Sequence, residues 1–251
     1  MRIQLLICSL IASSAALFAL PAAAQTPEAT TPDANPETKV PGLQVRGLSF
    51  QLPKELPDVY MHDPAGDAAL QGVKLEVKTY LNRGSGTIPL KGKSIIFTTK
   101  PERTSIKTPA EIVASFTIPG DPKSLICMFV PGTGAAGAPP CRIYPIEDDL
   151  KSFPKGALKV MNLSPVPIRI QLEKQNFDFK VGDVKVITDP PVGPSNSSGM
   201  EAFRFESGQW QKVASGIWPS PGSVRVLQIV FQSPATGQVE LRGIRDIAVP
   251  R

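Results

Sequence analysis

The chain has 251 residues, 27 of them Pro and 20 Gly, with 41% hydrophobic and 20% charged positions and a formal net charge of +5. So many helix-breaking residues exclude long helical bundles, while the apolar fraction can bury one or two ordinary cores and the charge is too low for a disordered polyelectrolyte. The basic excess is dispersed: its densest stretch, Lys91, Lys93, Lys100, Arg103 and Lys107, is diluted by strand-pattern residues, which excludes a nucleic-acid reader and marks a solvated strand face.

Arg2 is the one charge in the first 24 residues, an apolar run over 5–20 follows, and Ala22, Ala23 and Ala24 are small residues ahead of Gln25. This pattern predicts a secretory signal peptide over 1–24. The bulky Ile7 before Cys8 argues against a lipoprotein. Residues 25–42 are mostly Thr, Pro, Ala, Glu and Asn, a composition that builds no core and predicts a flexible linker. No later apolar run reaches the length of a membrane-spanning helix.

From Leu43 onward, apolar residues alternate with polar ones: Leu48, Phe50, Leu52; Val73, Leu75, Val77; Ile168, Ile170, Leu172; Phe177, Phe179, Val181; Val184, Val186; Val224, Val226; Val239, Leu241. The period of two predicts about fifteen short, half-buried strands. Gly47 interrupts the phase between Val45 and Leu48 and reads as a bulge. Thr108, Pro109 and Glu111 form a capping-box pattern, but the β-rich 112–118 that follows limits any helix to a turn or two.

His62 is the sole histidine, with Asp63 beside it, and a triad would need a serine such as Ser85, between Gly84 and Gly86. Neighbouring strand residues point to opposite faces, which defeats a triad, and one histidine cannot supply a zinc site, so His62 reads as a surface or loop residue. Cys127 and Cys141 lie in two strand-like runs joined by the loop 131–140. Export permits a disulfide there, and closing such a loop contributes on the order of 3 kcal/mol. Gly132, Gly134 and Gly137 spell a dinucleotide-binding spacing, but Pro139 and Pro140 follow where a helix is needed, so the glycines read as a mobile hairpin tip. Glu147, Asp148 and Asp149, with Asp63 and Asp67, fit no glycosidase pair and no calcium-loop spacing. Neither catalytic residues nor a metal or cofactor site are expected. The sequons at Asn162 and Asn196 lie in a chain whose leader looks bacterial.

Fifteen strands exceed one seven-to-nine-stranded sandwich of about 100 residues. Three internal echoes suggest a repeat: Tyr60 and Gly72 against Tyr144 and Gly156; Ile88 to Ile96 against Phe177 to Val186; and Ile126–Asp148 against Leu227–Asp246. The expectation is an all-β chain with two tandem immunoglobulin-like β-sandwiches over 43–155 and 156–251, or else one larger sandwich. Among the aromatics, Trp218, Tyr60 and Tyr144 are the candidate ligand contacts. Trp218 precedes a Pro/Ser/Gly loop, whereas Trp210, between Gln209 and Gln211, takes a core position by default.

Over 156–246, Val160, Asn162, Ser164, Pro167, Ile168, Ile170, Phe179, Gly182, Trp210, Val213, Trp218, Gly237, Val239, Leu241, Arg242, Ile244 and Asp246 form a familiar pattern. It resembles uncharacterised exported proteins of Gram-negative mucus-associated bacteria, in particular an outer-membrane, pilus-associated immunoglobulin-like family. The resemblance implies an immunoglobulin-like fold and a structural, adhesive or pilus-related role in the periplasm, outer membrane or cell surface. It carries over no catalytic residue. Export, linker and β-alternation point the same way, to a non-enzymatic protein whose partners are envelope or pilus proteins. A carbohydrate-binding β-sandwich that takes host glycan is the alternative.

Overall fold

The computed structural model describes residues 42–81, 84–219, 221–222 and 224–246. The expected signal peptide over 1–24, and the expected linker up to residue 41, lie outside the described residues. The first half contains β1 (Leu43–Ser49), β2 (Val59–His62), β3 (Val73–Leu75), β4 (Val77–Lys78), β5 (Gly86–Ile88), β6 (Ser94–Thr98), β7 (Ile112–Thr117), β8 (Ser124–Pro131) and β9 (Cys141–Glu147). The second contains β10 (Leu158–Asn162), β11 (Ile168–Leu172), β12 (Gln175–Phe179), β13 (Val184–Ile187), β14 (Ser197–Glu206), β15 (Gln209–Pro219), β16 (Arg225–Gln232) and β17 (Val239–Asp246). The protein is all-β, with two short 3-10 helices at Arg103–Lys107 and Pro109–Glu111.

The strands form four sheets: β3-β2-β6-β7; β4-β1-β8-β9 with β5 also on β1; β13-β10-β16-β17; and β12-β11-β14-β15. Three apolar cores show how they stack. The first unites Val59, Met61, Ile95 and Phe97 with Val45, Leu125, Cys127 and Phe129. The second places Leu48, Phe50, Ile126 and Met128 against Met161, Leu227, Ile229 and Phe231. In the third, Leu158, Val160, Val226 and Val230 meet Ile168, Ile170, Phe179 and Trp218. The β1 and β10 sheets are therefore inner layers, apolar on both faces, and the β2 and β11 sheets are outer layers. This explains the unbroken run in β8, Ser124–Val130, all buried: a strand covered on both sides has no solvated face to encode.

Much of one pairing scheme runs through both halves, the first adding β4 parallel to β1. Leading β1 pairs parallel with β8, and β8 antiparallel with β9; leading β10 pairs parallel with β16, and β16 antiparallel with β17. The outer sheets share the order of hairpins, β3-β2-β6-β7 and β12-β11-β14-β15. In this register Ile126, opposite Arg46 and Ile146, holds the place of Leu227, opposite Lys159 and Ile244. Of the three echoes, the match of Ile126–Asp148 with Leu227–Asp246 joins strands of equal place. The other two do not: Tyr60 is in β2 but Tyr144 in β9, and Ile88 is in β5 but Phe177 in β12. Alternation punctuated by Gly is common to every strand, so it does not identify which strand is which.

Several expectations are corrected. The predicted disulfide is absent: Cys127 and Cys141 are free and buried. In the β8–β9 hairpin Cys127 stands opposite Pro145 and Cys141 opposite Pro131. That separates them by four positions, about 14 Å along the strands, well beyond the reach of a bridge. Gly47 makes no bulge, because β1 stays in register with β8 through Gln44–Ser49. The apparent phase break reflects two buried faces, Leu43 and Val45 toward one core and Leu48 and Phe50 toward the next. A Cβ at Gly47 would lie 2.7 Å from the Glu76 carbonyl oxygen, so glycine admits β4 alongside. The capping box does not form: Thr108 makes no side-chain cap and Glu111 pairs with Lys100 at 2.6 Å.

Candidate functional site

Among the described residues, charged and titratable side chains gather in two interior places and on one outer face. The deepest group lies between the inner sheets. Arg46 donates from Nε and Nη2 to both oxygens of Asp148, each at 2.7 Å, and from Nη1 and Nη2 to both oxygens of Asp246, each at 2.8 Å. Arg225 donates to Asp148 Oδ1 at 2.8 Å, to the Phe153 carbonyl at 2.8 Å and to Asp246 Oδ2. Among the described residues, two guanidinium groups and two carboxylates thus bond one another in a quartet, each no more than 5% exposed. Planar forks matched to carboxylates make such a buried group tolerable. Lys159 lies beside it, donating to the Glu147 carbonyl at 2.8 Å, and the Phe153 ring carries Lys159 at 4.9 Å and Arg225 at 4.5 Å.

The electrostatics follow from this packing. Burial opposes the Asp246 charge, but hydrogen bonds from Arg46 and the two guanidinium charges outweigh it and hold the carboxyl below its ordinary value. Burial likewise opposes the Arg46 charge, and its bonds to Asp246 and Asp148 more than compensate. Lys159 has no such fork, so burial, aided by the Arg225 charge, lowers its ammonium to about 8.

The second interior group surrounds His62, which is a buried β2 residue and not a surface one. Its Nε2 is 2.9 Å from Thr98 Oγ1 and 3.3 Å from the Lys100 carbonyl, while Ser105 Oγ donates to Thr98 Oγ1 at 3.0 Å. Gly72 covers the ring so closely that a Cβ there would lie 2.5 Å from it. Burial first, and the Arg103 charge second, push the imidazole below its ordinary pKa. Asp63, its neighbour, points elsewhere: it accepts from the backbone of Ala65, Lys91 and Gly92. Arg103 ties down the same turn by donating to the carbonyls of Asp63, Pro64 and Gly66. These groups organise a turn and are spent on it.

Of the candidate ligand contacts, Trp218 is the main correction. It is 8% exposed, in β15 and not in a loop, and packs in the third core. Strand β15 runs on to Pro219, so the Pro-rich segment begins later than its composition suggested. Tyr60 (β2) and Tyr144 (β9) are each half-buried and lie in different sheets, so the three aromatics form no common site. Among the described residues no cluster of His, Cys, Asp or Glu could hold a metal ion. The Gly132–Gly137 motif sits in the hairpin connection, where Gly132 donates to the Pro140 carbonyl at 2.7 Å. Asn162 is fully buried and bonds the Val166 carbonyl through Nδ2 and Ser164 through Oδ1, so its sequon is a turn and not a glycan acceptor.

Trp210, expected in the core, faces outward instead. It lies opposite Phe205, while Phe203 lies opposite both Arg169 and Lys212. A register shift after Ala202 sends Val213 inward and leaves Trp210 and Lys212 on the solvent side. The indole and Phe205 ring centroids are 5.1 Å apart, and the Arg169 guanidinium sits over the indole at 4.3 Å. Asp178 holds that guanidinium through two bonds of 2.6 and 2.8 Å. Sequence reasoning missed both this face and the quartet. The available signal was an arginine inside each of two apolar runs, Leu43–Ser49 and Arg225–Gln232. Compared with known proteins, the chain matches no protein-family description and no curated protein.

Proposed function

We propose that this chain is a non-enzymatic, exported structural or adhesive protein of a Gram-negative cell envelope, built from tandem immunoglobulin-like sandwiches and serving a surface or pilus-related role. One observation carries the reading: the groups with chemical potential are turned inward and consumed by the scaffold, whereas a long strand is left at the margin of an outer sheet. His62 is enclosed by Thr98, Ser105 and Gly72, Asp148 and Asp246 are neutralised by two arginines, and the Cys127 thiol is held protonated by burial. Strand β15, by contrast, is eleven residues long and stands at the margin of an outer sheet. Edges and faces of this kind serve recognition. The repeated pairing scheme supports duplication of one sandwich as the origin of the fold, and the resemblance over 156–246 supports the envelope setting.

The test is location and exposure in the native cells. Fractionation combined with protease treatment of intact cells is expected to place the chain at the outer membrane or surface, with an envelope protein co-purifying. Recovery from the cytoplasm, or as a free periplasmic species without a partner, overturns the proposal.

A further inference from the structure

We propose that the outer face of the β12-β11-β14-β15 sheet binds an uncharged glycan, with a sugar ring stacked at the Trp210–Phe205 pair. It rests on the reading of the chain as a surface adhesive protein and names its ligand class. Three observations converge. The aromatic groups Phe203, Phe205 and Trp210 collect at one end of this face, with Phe205 38% exposed, an unusual use of outward strand positions. The indole is fixed before any ligand arrives, because Arg169 stacks on it and Asp178 in turn fixes Arg169. A ring already held in one orientation loses little side-chain freedom on binding. Finally, the outward charges of the four strands cancel: Arg169 pairs with Asp178, and Lys212 with Glu201.

That balance selects the occupant. A polyanion gains nothing from a face with no net charge. A pyranose offers an apolar C–H face to the aromatic ring and hydroxyls to its surroundings. Here the surroundings are polar groups of the same face: the Gln171 amide and the solvent-side Arg169–Asp178 and Lys212–Glu201 pairs. An apolar platform bordered by a few oriented polar groups is the pattern of small-ligand recognition. The tryptophan that serves is Trp210; Trp218 is occupied with the core.

Affinity electrophoresis of the purified protein tests this directly, in native gels containing hydroxyethyl cellulose, xyloglucan or galactomannan, with polygalacturonate as the charged comparison. At least one uncharged polymer is expected to retard the wild type, unchanged in about 0.5 M NaCl, where surface electrostatics is screened. Trp210→Ala should weaken retention at least about tenfold, the range of a lost aromatic contact. Trp210→Phe should keep part of it, and Arg169→Ala should weaken it by unpinning the ring. Circular dichroism and thermal unfolding establish that each variant is folded. No retardation by any uncharged polymer overturns the inference, as does retention indifferent to Trp210→Ala or salt-sensitive retention by polygalacturonate alone. Self-association that Trp210→Ala abolishes, without glycan retention, also overturns it and assigns the face to a second copy. Because the assay uses purified protein, its failure leaves the envelope location standing, and a cytoplasmic location would leave a positive result standing.

Discussion

The two halves share the pairing of their leading, inner and closing strands and differ in how they fill it. At equivalent positions the first half has Arg46, Ser124 and Asp148, and the second has Lys159, Arg225 and Asp246. The carboxylate is common to both, but each half brings its guanidinium from a different strand, β1 in one and β16 in the other. Each half pairs its own arginine with its own aspartate, Arg46 with Asp148 and Arg225 with Asp246, and each arginine also reaches across, Arg46 to Asp246 and Arg225 to Asp148. The difference teaches that the pairing scheme needs only apolar alternation, whereas the charges were settled jointly across the contact between the inner sheets. The halves share these strand pairings, and their buried charges meet across the contact between the inner sheets.

The severest way to break this comparison is to separate the halves. Residues 42–155 expressed alone should fail to give a cooperative unfolding transition, because Leu48, Ile126, Met128, Val130 and Ile146 would lose the partners of the second core. A sharp denaturant transition from that fragment would show the halves to be independent. Asp246→Ala comes next: it leaves two buried guanidinium groups with one carboxylate and is expected to cost about 3–5 kcal/mol in urea unfolding. The wild type should also lose stability as pH falls below about 3.8, since the folded carboxyl titrates below the unfolded one and the unfolded chain takes the proton first.

Lys159→Met sharpens the contrast between the equivalent cations. Arg46 is a member of the quartet, but Lys159 is a buried ammonium without a carboxylate fork, so its replacement is expected to be neutral or stabilising by up to about 2 kcal/mol. In the wild type, stability should rise from about pH 8 toward 10.5, where the unfolded chain still holds the proton and the folded one has released it. Lys159→Met should flatten that rise in denaturation series run across the interval.

His62 marks the first half alone, and its effect is smaller. With its folded pKa below 6.5, the neutral ring belongs to the native state, and stability should decline as pH drops below about 6.5. His62→Gln should remove that decline, measured by thermal unfolding between about pH 7.5 and 5. The smallest effect is expected at Trp210→Ala, on the outer face, within about 0.5 kcal/mol. A larger loss would give that face a part in holding the fold.

Much of this was legible before the fold was known. Alternation in Ile168–Leu172 and Gln175–Phe179, and the Pro/Gly punctuation between such runs, determined an all-β chain of packed sheets, because a two-residue period with breakers is stable only in that form. The chain also determined that no helix would exceed a turn or two near Pro109. What only tertiary structure decided is register and layer. Cys127 and Cys141 sit in adjacent strands whether or not they face each other, and hairpin register placed them four positions apart. Trp210 and Trp218 share β15, and one bulge sent the first to solvent and the second to the core. Arg46 and Asp246, 200 positions apart, meet because two inner sheets stack, and nothing local to either residue records that contact. Periodicity is a property of neighbours along the chain, whereas partnership between distant charges is set by which faces are buried together.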